Sequence, residues 1–157
     1  MKVLVFSDSH GCLDTMERAV RRESPDMILH LGDYVRDAKS LRDKFPHIPL
    51  RNVAGNCDFG VSEPETLLTT ISGVRVFLTH GHRYYVKSMY LRAIYAAQEQ
   101  NAGVLLFGHT HRAECFREGD LWVMNPGAAG PAGTYGIMEL QDGQASCRLA
   151  ALNGKDV

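Results

Sequence analysis

The residues with the clearest chemical potential all follow short apolar runs of the chain. The first run, Val3–Phe6, stops at Asp8 and His10, which share one side of an extended segment because they lie two positions apart. The same pattern returns four times. The polar residues after the five runs are Asp8 with His10, Asp33, Asn56, His80, and His109 with His111. Each alone has an ordinary explanation as a helix cap or turn residue, but five such coincidences indicate a shared site.

This set offers oxygen and nitrogen ligands without a thiolate. Such a mixture suits divalent Mn, Fe or Zn in a catalytic site better than a structural zinc site. Seven ligands are more than one catalytic metal ordinarily takes from protein, but they suffice for two metals if one carboxylate bridges. Asp33 is the natural bridge, since it is a lone carboxylate between the Asp8 and His80 groups in the chain.

Two metals about 3.5–4 Å apart suit in-line displacement at phosphorus. They can bind one water between them, lower its pKa to about 7 and so generate a bridging hydroxide, while they neutralise charge in the transition state. The sequence contains no nucleophile elbow, P-loop or dinucleotide fingerprint. The prediction is therefore a metal-dependent phosphoesterase without a protein nucleophile.

The elements that must position these residues alternate in the first half of the chain. Apolar periodicity predicts strands over Val3–Phe6, Met27–Leu31 and Leu50–Ala54, and helices over Leu13–Glu23 and Val35–Phe45. The second half is rich in predicted hairpins, with strands at 66–71 and 74–78, 113–116 and 121–124, and 135–140 and 145–149, together with a helix at 87–100 and a strand at 104–107. Open α/β sheets place ligands at the carboxyl ends of their strands. We expect two packed sheets with helices outside in a single domain spanning 1–157, followed by a frayed tail from Asn153.

The bulk composition indicates an ordinary globular protein. Of 157 residues, 45% are hydrophobic and 22% charged, and the net charge of −1 gives no overall bias toward nucleic acid or anionic membranes. No stretch is long enough to cross a bilayer, and no signal peptide is expected. Four cysteines without a Cys-x-x-Cys pair favour a reducing cytoplasm: Cys12, Cys57, Cys115 and Cys147. We expect a small phosphoester as partner and neither a membrane nor nucleic acid, and leave homo-oligomerisation open.

The ordered motifs resemble one known family. They are Asp8-x-His10, Gly32-Asp33, Gly55-Asn56-x-Asp58, His80-Gly81-His82 and Gly108-His109-x-His111. From Met1 to about Leu152 the chain is similar to the calcineurin-like metallophosphoesterases, and to their small bacterial and archaeal phosphodiesterases in particular. The resemblance implies a four-layer α/β sandwich of two mixed β-sheets flanked by helices. It also implies two divalent ions, with Mn expected first and Zn, Fe or Ni as alternatives.

The resemblance further implies how the ligands divide. One metal would take Asp8, His10, Asp33 and His111, and the other would take Asp33, Asn56, His80 and His109. The expected catalytic residues are Asn56, Cys57, Asp58 and His109. Cys57 departs from the wider family, in which a His held by the following Asp is thought to protonate the leaving group. Leaving groups that need no proton, such as phenolates, would suffer least, and Asp58 could instead hold a loop or orient a ligand.

The predicted function is a two-metal phosphodiesterase, favoured over a phosphomonoesterase, with an open cleft. One alternative is a non-catalytic, protein-binding scaffold of the same fold, like the retromer subunit that the chain resembles; another is a cyclic-nucleotide phosphodiesterase or nuclease. Several neighbouring residues are open to two interpretations. His82, Cys12 and His30 are expected to be structural, Arg36, Arg83 and Arg112 to be solvated surface, and Phe59, Tyr84 and Tyr85 to be either core or an apolar wall for a leaving group.

Overall fold

A computed structural model describes residues 1–130 and 133–152. The predicted tail from Asn153 and part of the small-residue loop before Gly133 lie outside these ranges. In chain order, the elements are β1 Lys2–Phe6, α1 Leu13–Glu23, β2 Met27–His30, α2 Val35–Lys44, β3 Leu50–Asn52, β4 Thr66–Ile71, β5 Val74–Thr79, a 3₁₀ helix at His82–Tyr84, α3 Leu91–Glu99, β6 Val104–Leu106, β7 Ala113–Glu118, β8 Leu121–Pro126, β9 Thr134–Gln141 and β10 Gln144–Ala151.

The strands form two mixed sheets of five strands each. The first sheet has the order β10-β9-β1-β2-β3, and the second has the order β4-β5-β6-β8-β7. Strands β1, β2 and β3 run parallel, as do β5, β6 and β8, while the flanking strands pair antiparallel. The carboxyl ends of the parallel strands in each sheet therefore meet at one edge, where the predicted ligands follow.

Alternating side chains of the central strands build the layers. On β1, Val3 and Val5 pack between the two sheets against residues such as Val76 and Leu106, whereas Leu4 lies among residues of α1 and α2. On the far side, residues of α3 cover the second sheet. Since side chains on a strand alternate in direction, a nearly continuous apolar strand serves two cores. The predicted four-layer sandwich of two mixed sheets is confirmed.

The third helix differs from its prediction. It begins at Leu91 rather than at residue 87, because a turn with left-handed Tyr85 (φ 55°) interrupts the chain after the 3₁₀ helix. Ala93, Ile94 and Ala97 face the sheet, so Leu91 and Tyr95, one turn apart on the outer face, are exposed. No helix within the described ranges is long and apolar enough to span a membrane.

Candidate metal centre

The structure brings the seven predicted ligands to one place, where the two sheets meet. The carboxylates are at the floor: Asp8 is fully buried, Asp33 is nearly so, and the buried His80 lies between them with its Nε2 3.9 Å from Oδ1 of Asp8 and 3.4 Å from Oδ1 of Asp33. The rings of His10 and His111 are at the solvent side, with centroids 5.3 Å apart. The floor is therefore buried and the rim open to solvent.

Asp8 carries the most informative contact of the site. Its Oδ2 accepts hydrogen bonds from Oγ–H of Ser7 (2.6 Å) and from the backbone N–H of His109 (3.0 Å). Its Oδ1 is buried and has no hydrogen-bond partner within residues 1–130 and 133–152, yet Nε2 of His111 lies 3.1 Å from it and Nε2 of His10 lies 4.0 Å from it. A buried carboxylate oxygen without a donor is costly. An oxygen surrounded by imidazole nitrogens fits a bound cation.

Both buried carboxylates face both groups of ligands. Asp8 belongs to a cluster with His10 and His111 and to a second cluster with Asp33 and His80, each with ligand atoms within 4.8 Å of one another. Asp33 directs Oδ1 toward Nε2 of His80 and Oδ2 toward Nε2 of His10, at 3.9 Å. By atom distances alone, Asp8 is thus as central as Asp33, the carboxylate predicted to bridge.

The second group of ligands is completed by Asn56 and His109. Oδ1 of Asn56 lies 3.1 Å from Nε2 of His80, and the ring of His109 lies 5.0 Å from the ring of His80. His80 is oriented from behind, since its Nδ1 lies 2.8 Å from the carbonyl oxygen of Leu31. Donation of Nδ1–H to that carbonyl leaves the Nε2 lone pair facing the carboxylates, as metal-binding histidines are arranged.

The charges of the site are coupled. Burial alone would raise the pKa of Asp33, but the neighbouring His80 and a hydrogen bond from the backbone N–H of Cys57 hold it well below its usual range. Burial likewise opposes the charged form of His80, yet Asp33 and Asp8 raise its pKa. Burial and the neighbouring His80 lower the pKa of His109 to about 4. The site therefore combines an ionised Asp33 with a neutral His109, protonation states that suit metal ligation.

Unusual backbone geometry marks the ligand positions. Five of the seven candidates adopt left-handed conformations, with φ between 45° and 69°: Asp8, His10, Asp33, His109 and His111. Such conformations are uncommon outside glycine and concentrate at functional sites.

Two of the strand-end motifs, those at Gly55 and Gly108, require glycine because any side chain there would collide with a neighbouring ligand loop. A Cβ on Gly55 would lie 2.1 Å from Oδ1 of Asp33, and a Cβ on Gly108 would lie 1.9 Å from Oγ of Ser7 and 2.8 Å from Oδ2 of Asp8. The ligand loops thus pack directly against one another, and only glycine leaves room for the carboxylates.

The residues of the Asn56-Cys57-Asp58 segment have different surroundings. Cys57 is exposed as a residue. Partial desolvation of its thiol, together with the charges of Asp33 and Asp58, raises the pKa of that thiol. The carboxylate of Asp58 accepts three backbone N–H groups, from Tyr34 (2.9 Å), Val35 (2.8 Å) and Gly55 (2.8 Å). These contacts favour the interpretation that Asp58 holds the two loops together over a direct part in catalysis.

A buried polar network behind the site has no counterpart in the sequence interpretation. Oγ of Ser9 donates to Oδ2 of Asp37 (2.8 Å), which also accepts the backbone N–H of Gly11 (2.7 Å). The buried His30 lies with Nε2 3.2 Å from Oγ of Ser9 and accepts the backbone N–H of Gly32 at Nδ1. The expectation that His30 is a core residue is confirmed, but its role as a link between two ligand loops was missed. The one feature of the sequence that could have indicated this network is Asp37, an acidic residue in the first turn of α2, the helix that follows Gly32-Asp33.

The remaining candidates divide between rim and core. His82 lies beside the ligands, with its ring 5.6 Å from that of His80 and its Nε2 3.6 Å from Glu65, and burial lowers its pKa. Tyr84 packs on the core of the second sheet, whereas Phe59 and Tyr85 are exposed. Arg36 and Arg112 are exposed but line clefts next to the site, and Arg83 pairs with Glu65 on the surface.

Residues 1–143 match the calcineurin-like phosphoesterase superfamily domain. The chain therefore belongs to the calcineurin-like phosphoesterase superfamily, and the predicted resemblance is confirmed. Membership of this family supports hydrolysis of phosphoester bonds as the class of activity.

Two relatives agree with this assignment. The chain is 32% identical over 167 residues to the probable metallophosphoesterase YsnB of Bacillus subtilis, covering 100% of this chain and 95% of the relative. It is 25% identical over 171 residues to the phosphodiesterase YfcE of Escherichia coli K12, covering 88% of each. Both matches extend over most of each relative's length.

Solved structures show the same fold. A predicted phosphoesterase from Streptococcus pneumoniae superposes with a TM-score of 0.83 at 27% identity, covering 99% of this chain and 92% of that one. Vps29 of Chaetomium thermophilum superposes with a TM-score of 0.77 at 20% identity, covering 100% of this chain and 94% of that one. At that identity, the likeness to Vps29 concerns the fold alone.

Proposed function

We propose that the protein is a two-metal phosphodiesterase. The observation that carries the proposal is Oδ1 of Asp8, a buried carboxylate oxygen that has no hydrogen-bond donor among the described residues and that faces imidazole nitrogens of His10, His80 and His111. A positive charge at this place satisfies the oxygen, and the oxygen and nitrogen donors around it suit a divalent cation.

One cation is assigned to Asp8, His10, Asp33 and His111, and the other to Asp33, Asn56, His80 and His109. Asp33 is the better bridge of the two central carboxylates. Asp8 has already committed Oδ2 to Ser7 and His109, whereas within the described ranges no protein group donates to Oδ2 of Asp33 and only the N–H of Cys57 donates to its Oδ1 (2.9 Å). The oxygen and nitrogen donors suit Mn, and Zn, Fe or Ni remain alternatives.

The chain's own residues then set the course of the reaction. Two divalent cations would supply a nucleophile at neutral pH and offset the charge on the phosphoryl oxygens. Ser7 and the His109 N–H fix Asp8, and Leu31 fixes the tautomer of His80. The Cys57 thiol, with its raised pKa, stays protonated at neutral pH but is a weak hydrogen-bond donor. Diesters with acidic leaving groups, which depart as anions, are therefore the favoured substrates.

Preference for diesters over monoesters follows from space on both sides of the site. One cleft, here called the aromatic cleft, lies on the side of His10 and includes Tyr34, Arg36 and Phe59. A second cleft of about 290 Å³ includes Lys87 and Arg112 and lies on the side of His109 and His111. A diester has two substituents to place, and a monoester has one. The name of the Escherichia coli relative agrees with this preference.

The rival scaffold function shares this fold, as the likeness to Vps29 illustrates. A protein that works only by contact with partners gains nothing from a buried, unpaired carboxylate oxygen. The complete set of ligand types, and their convergence at one place, favour catalysis. A cyclic-nucleotide phosphodiesterase is a narrower form of the same proposal, and the near-neutral net charge speaks against a processive nuclease.

The test is reconstitution with metal. Protein stripped by a chelator should regain hydrolysis of bis(p-nitrophenyl) phosphate with Mn and bind two ions per chain by mass spectrometry. Asp33→Asn should lose bound metal and at least about 100-fold in rate, because it removes the bridge, whereas Asp43→Asn, on the exposed face of α2, should match the wild type. Metal-loaded protein that is inert toward a panel of diesters, monoesters and cyclic nucleotides would support the scaffold instead.

A further inference from the structure

The aromatic cleft has features that go beyond binding a phosphate. It has a volume of about 470 Å³ and shares His10 with the candidate metal centre. Clefts of this size hold a ring system or a nucleoside. A group bound in the aromatic cleft would therefore lie close to a phosphoryl group bound at the candidate metal ligands. The residues that line the cleft then indicate which substituent the substrate carries on its phosphoryl group.

Phe59 is the first of these features. Its side chain is 88% exposed, although the ring is large and apolar. It follows Asp58, whose carboxylate is tied to three backbone N–H groups, so the base of the loop that presents Phe59 is fixed. A phenyl ring held in solvent on a fixed base offers a flat face to an incoming ring.

Tyr34 and Arg36 form the second feature. The guanidinium carbon of Arg36 lies 5.0 Å from the centroid of the Tyr34 ring, and the Tyr34 ring meets the His10 ring edge to face at a centroid distance of 5.1 Å. A planar guanidinium over a ring is a stacking surface in its own right. The cleft thus has flat π surfaces that begin at a candidate metal ligand.

The charged residues that line the aromatic cleft further restrict the kind of ligand that it can bind. Asp58 also lines the cleft, but its carboxylate is occupied by backbone donors, and Arg36 is the exposed charged side chain in the wall. The cleft therefore favours neutral or anionic groups over cationic groups such as choline.

We propose that the aromatic cleft binds a flat aromatic ring carried by one ester group of the substrate, with Phe59 and Arg36 as the residues that determine this specificity. The proposal rests on the proposed phosphodiesterase function, since it assigns the substituent of that phosphoester. An aryl group and a nucleobase share this chemistry, and nucleobases stack on exposed aromatic side chains in the same way.

Calorimetry with ligands that cannot be hydrolysed tests the proposal directly. The metal-loaded protein is titrated with ethylphosphonate, phenylphosphonate and a nucleoside 5′-phosphonate, which carry the same phosphonate group on different substituents, and each affinity is corrected for the fraction of dianion at the pH used. Phenylphosphonate and the nucleoside phosphonate should bind at least about 10-fold more tightly than ethylphosphonate. If only the nucleoside phosphonate does so, the ring recognised is a base; if both do so, any flat ring is accepted.

Variants identify the residues responsible. Phe59→Ala should reduce the aromatic preference severalfold and leave the affinity for ethylphosphonate unchanged, and Phe59→Trp should preserve the preference. Arg36→Ala should also reduce the preference severalfold, measured as the ratio of the affinities, because its lost charge acts on all three phosphonates alike. Matched controls outside the cleft are Tyr95→Ala, an exposed aromatic on α3, and Arg92→Ala, whose guanidinium also lies 5.0 Å from a tyrosine ring, that of Tyr85. Both controls should behave as the wild type.

The outcomes separate this proposal from the function on which it rests. Equal binding of ethylphosphonate and both aromatic ligands, or an aromatic preference that survives Phe59→Ala and Arg36→Ala, would overturn the cleft assignment even if Mn-dependent hydrolysis of bis(p-nitrophenyl) phosphate persists. An aromatic preference that depends on Phe59, in a protein without that hydrolysis, would retain the cleft as an aromatic phosphoryl-binding site and reject the diesterase.

Discussion

Asp37 is the residue behind the site whose removal should be most informative. It belongs to α2, the helix that follows Asp33, and its Oδ2 holds the loop after β1 through Oγ of Ser9 (2.8 Å) and the N–H of Gly11 (2.7 Å). That loop carries Asp8 and His10. Replacement of Asp37 should therefore loosen one ligand loop relative to the other without touching a proposed metal ligand.

The expected cost follows from the two hydrogen bonds. A hydrogen bond to a charged acceptor contributes about 1.5–3 kcal/mol and a neutral one about 0.5–1.5 kcal/mol. Asp37→Asn keeps one oxygen for the two donors but removes the charge, so a loss of about 2 kcal/mol in the free energy of unfolding is expected. Asp37→Ala removes both bonds; because Gly11 is exposed and can bind water, the expected loss is about 3 kcal/mol and not the full sum.

Urea denaturation of the metal-free protein measures the stability, and calorimetric titration with Mn measures affinity. Beyond the loss of stability, both variants should weaken metal binding by about 10–100-fold, the usual effect of losing a residue that orients ligands. Asp43→Ala, an exposed acid on the same helix, is the control and should change neither quantity. Wild-type Mn affinity in folded Asp37→Ala would refute the idea that this network positions the ligand loop.

Three further predictions concern single positions. Gly55→Ala should weaken Mn binding by at least about 10-fold in a folded protein, since its Cβ would displace Asp33; wild-type affinity would contradict this. Burial lowers the pKa of His30 from 6.5 to about 4, so its contribution to stability is complete above pH 6.5 and is lost as the pH falls toward 4, by about 3 kcal/mol in all. Urea denaturation against pH should show that loss in the wild type and not in His30→Gln. Cys57→Ala should keep at least about half the rate on nitrophenyl diesters, and Cys57→His should raise the rate on alkyl diesters, whose leaving group needs a proton; a collapse of Cys57→Ala with metal still bound would show that the thiol acts in catalysis.

The strands and their ends were predictable because apolar runs and the polar residues after them are local features of the sequence. β1 and β2 end within a residue of their predicted limits, and α1 matches its prediction at both ends. The beginning of α3 was not predictable in the same way. The segment before Leu91 contains the good helix formers Lys87 and Met89. The chain nevertheless turns there through left-handed Gly81 and Tyr85, and the N–H of Val86 donates to the carbonyl of Gly81 (3.4 Å).

The convergence of the candidate ligands was predictable from the sequence, but their arrangement was not. The positions of Asp33 and of the histidine motifs at 80–82 and 109–111, each directly after an apolar run, indicated that these residues would lie close together, because the carboxyl ends of parallel strands lie at one edge of a sheet. Nothing local indicated that Oδ1 of Asp8 would be left without a donor, or that His30 and Asp37 would connect two ligand loops across the first sheet. Those features arise when segments far apart in the chain pack together, and a pattern within one segment carries no information about them.

The glycines and the left-handed ligand positions have one physical explanation. Two sheets meet at an edge where the loops must approach closely enough for the carboxylates of Asp8 and Asp33 to face the same imidazole of His80. Such closeness excludes a Cβ at Gly55 and Gly108 and forces ligand residues into conformations that cost about 1 kcal/mol or more each. Hydrogen bonds across the two sheets, such as the His109 N–H to Asp8, hold this geometry but leave Oδ1 of Asp8 unsatisfied. A fold that spends stability in this way at one edge is organised for the proposed cations and not for the chain alone, which is the strongest physical reason to expect chemistry there.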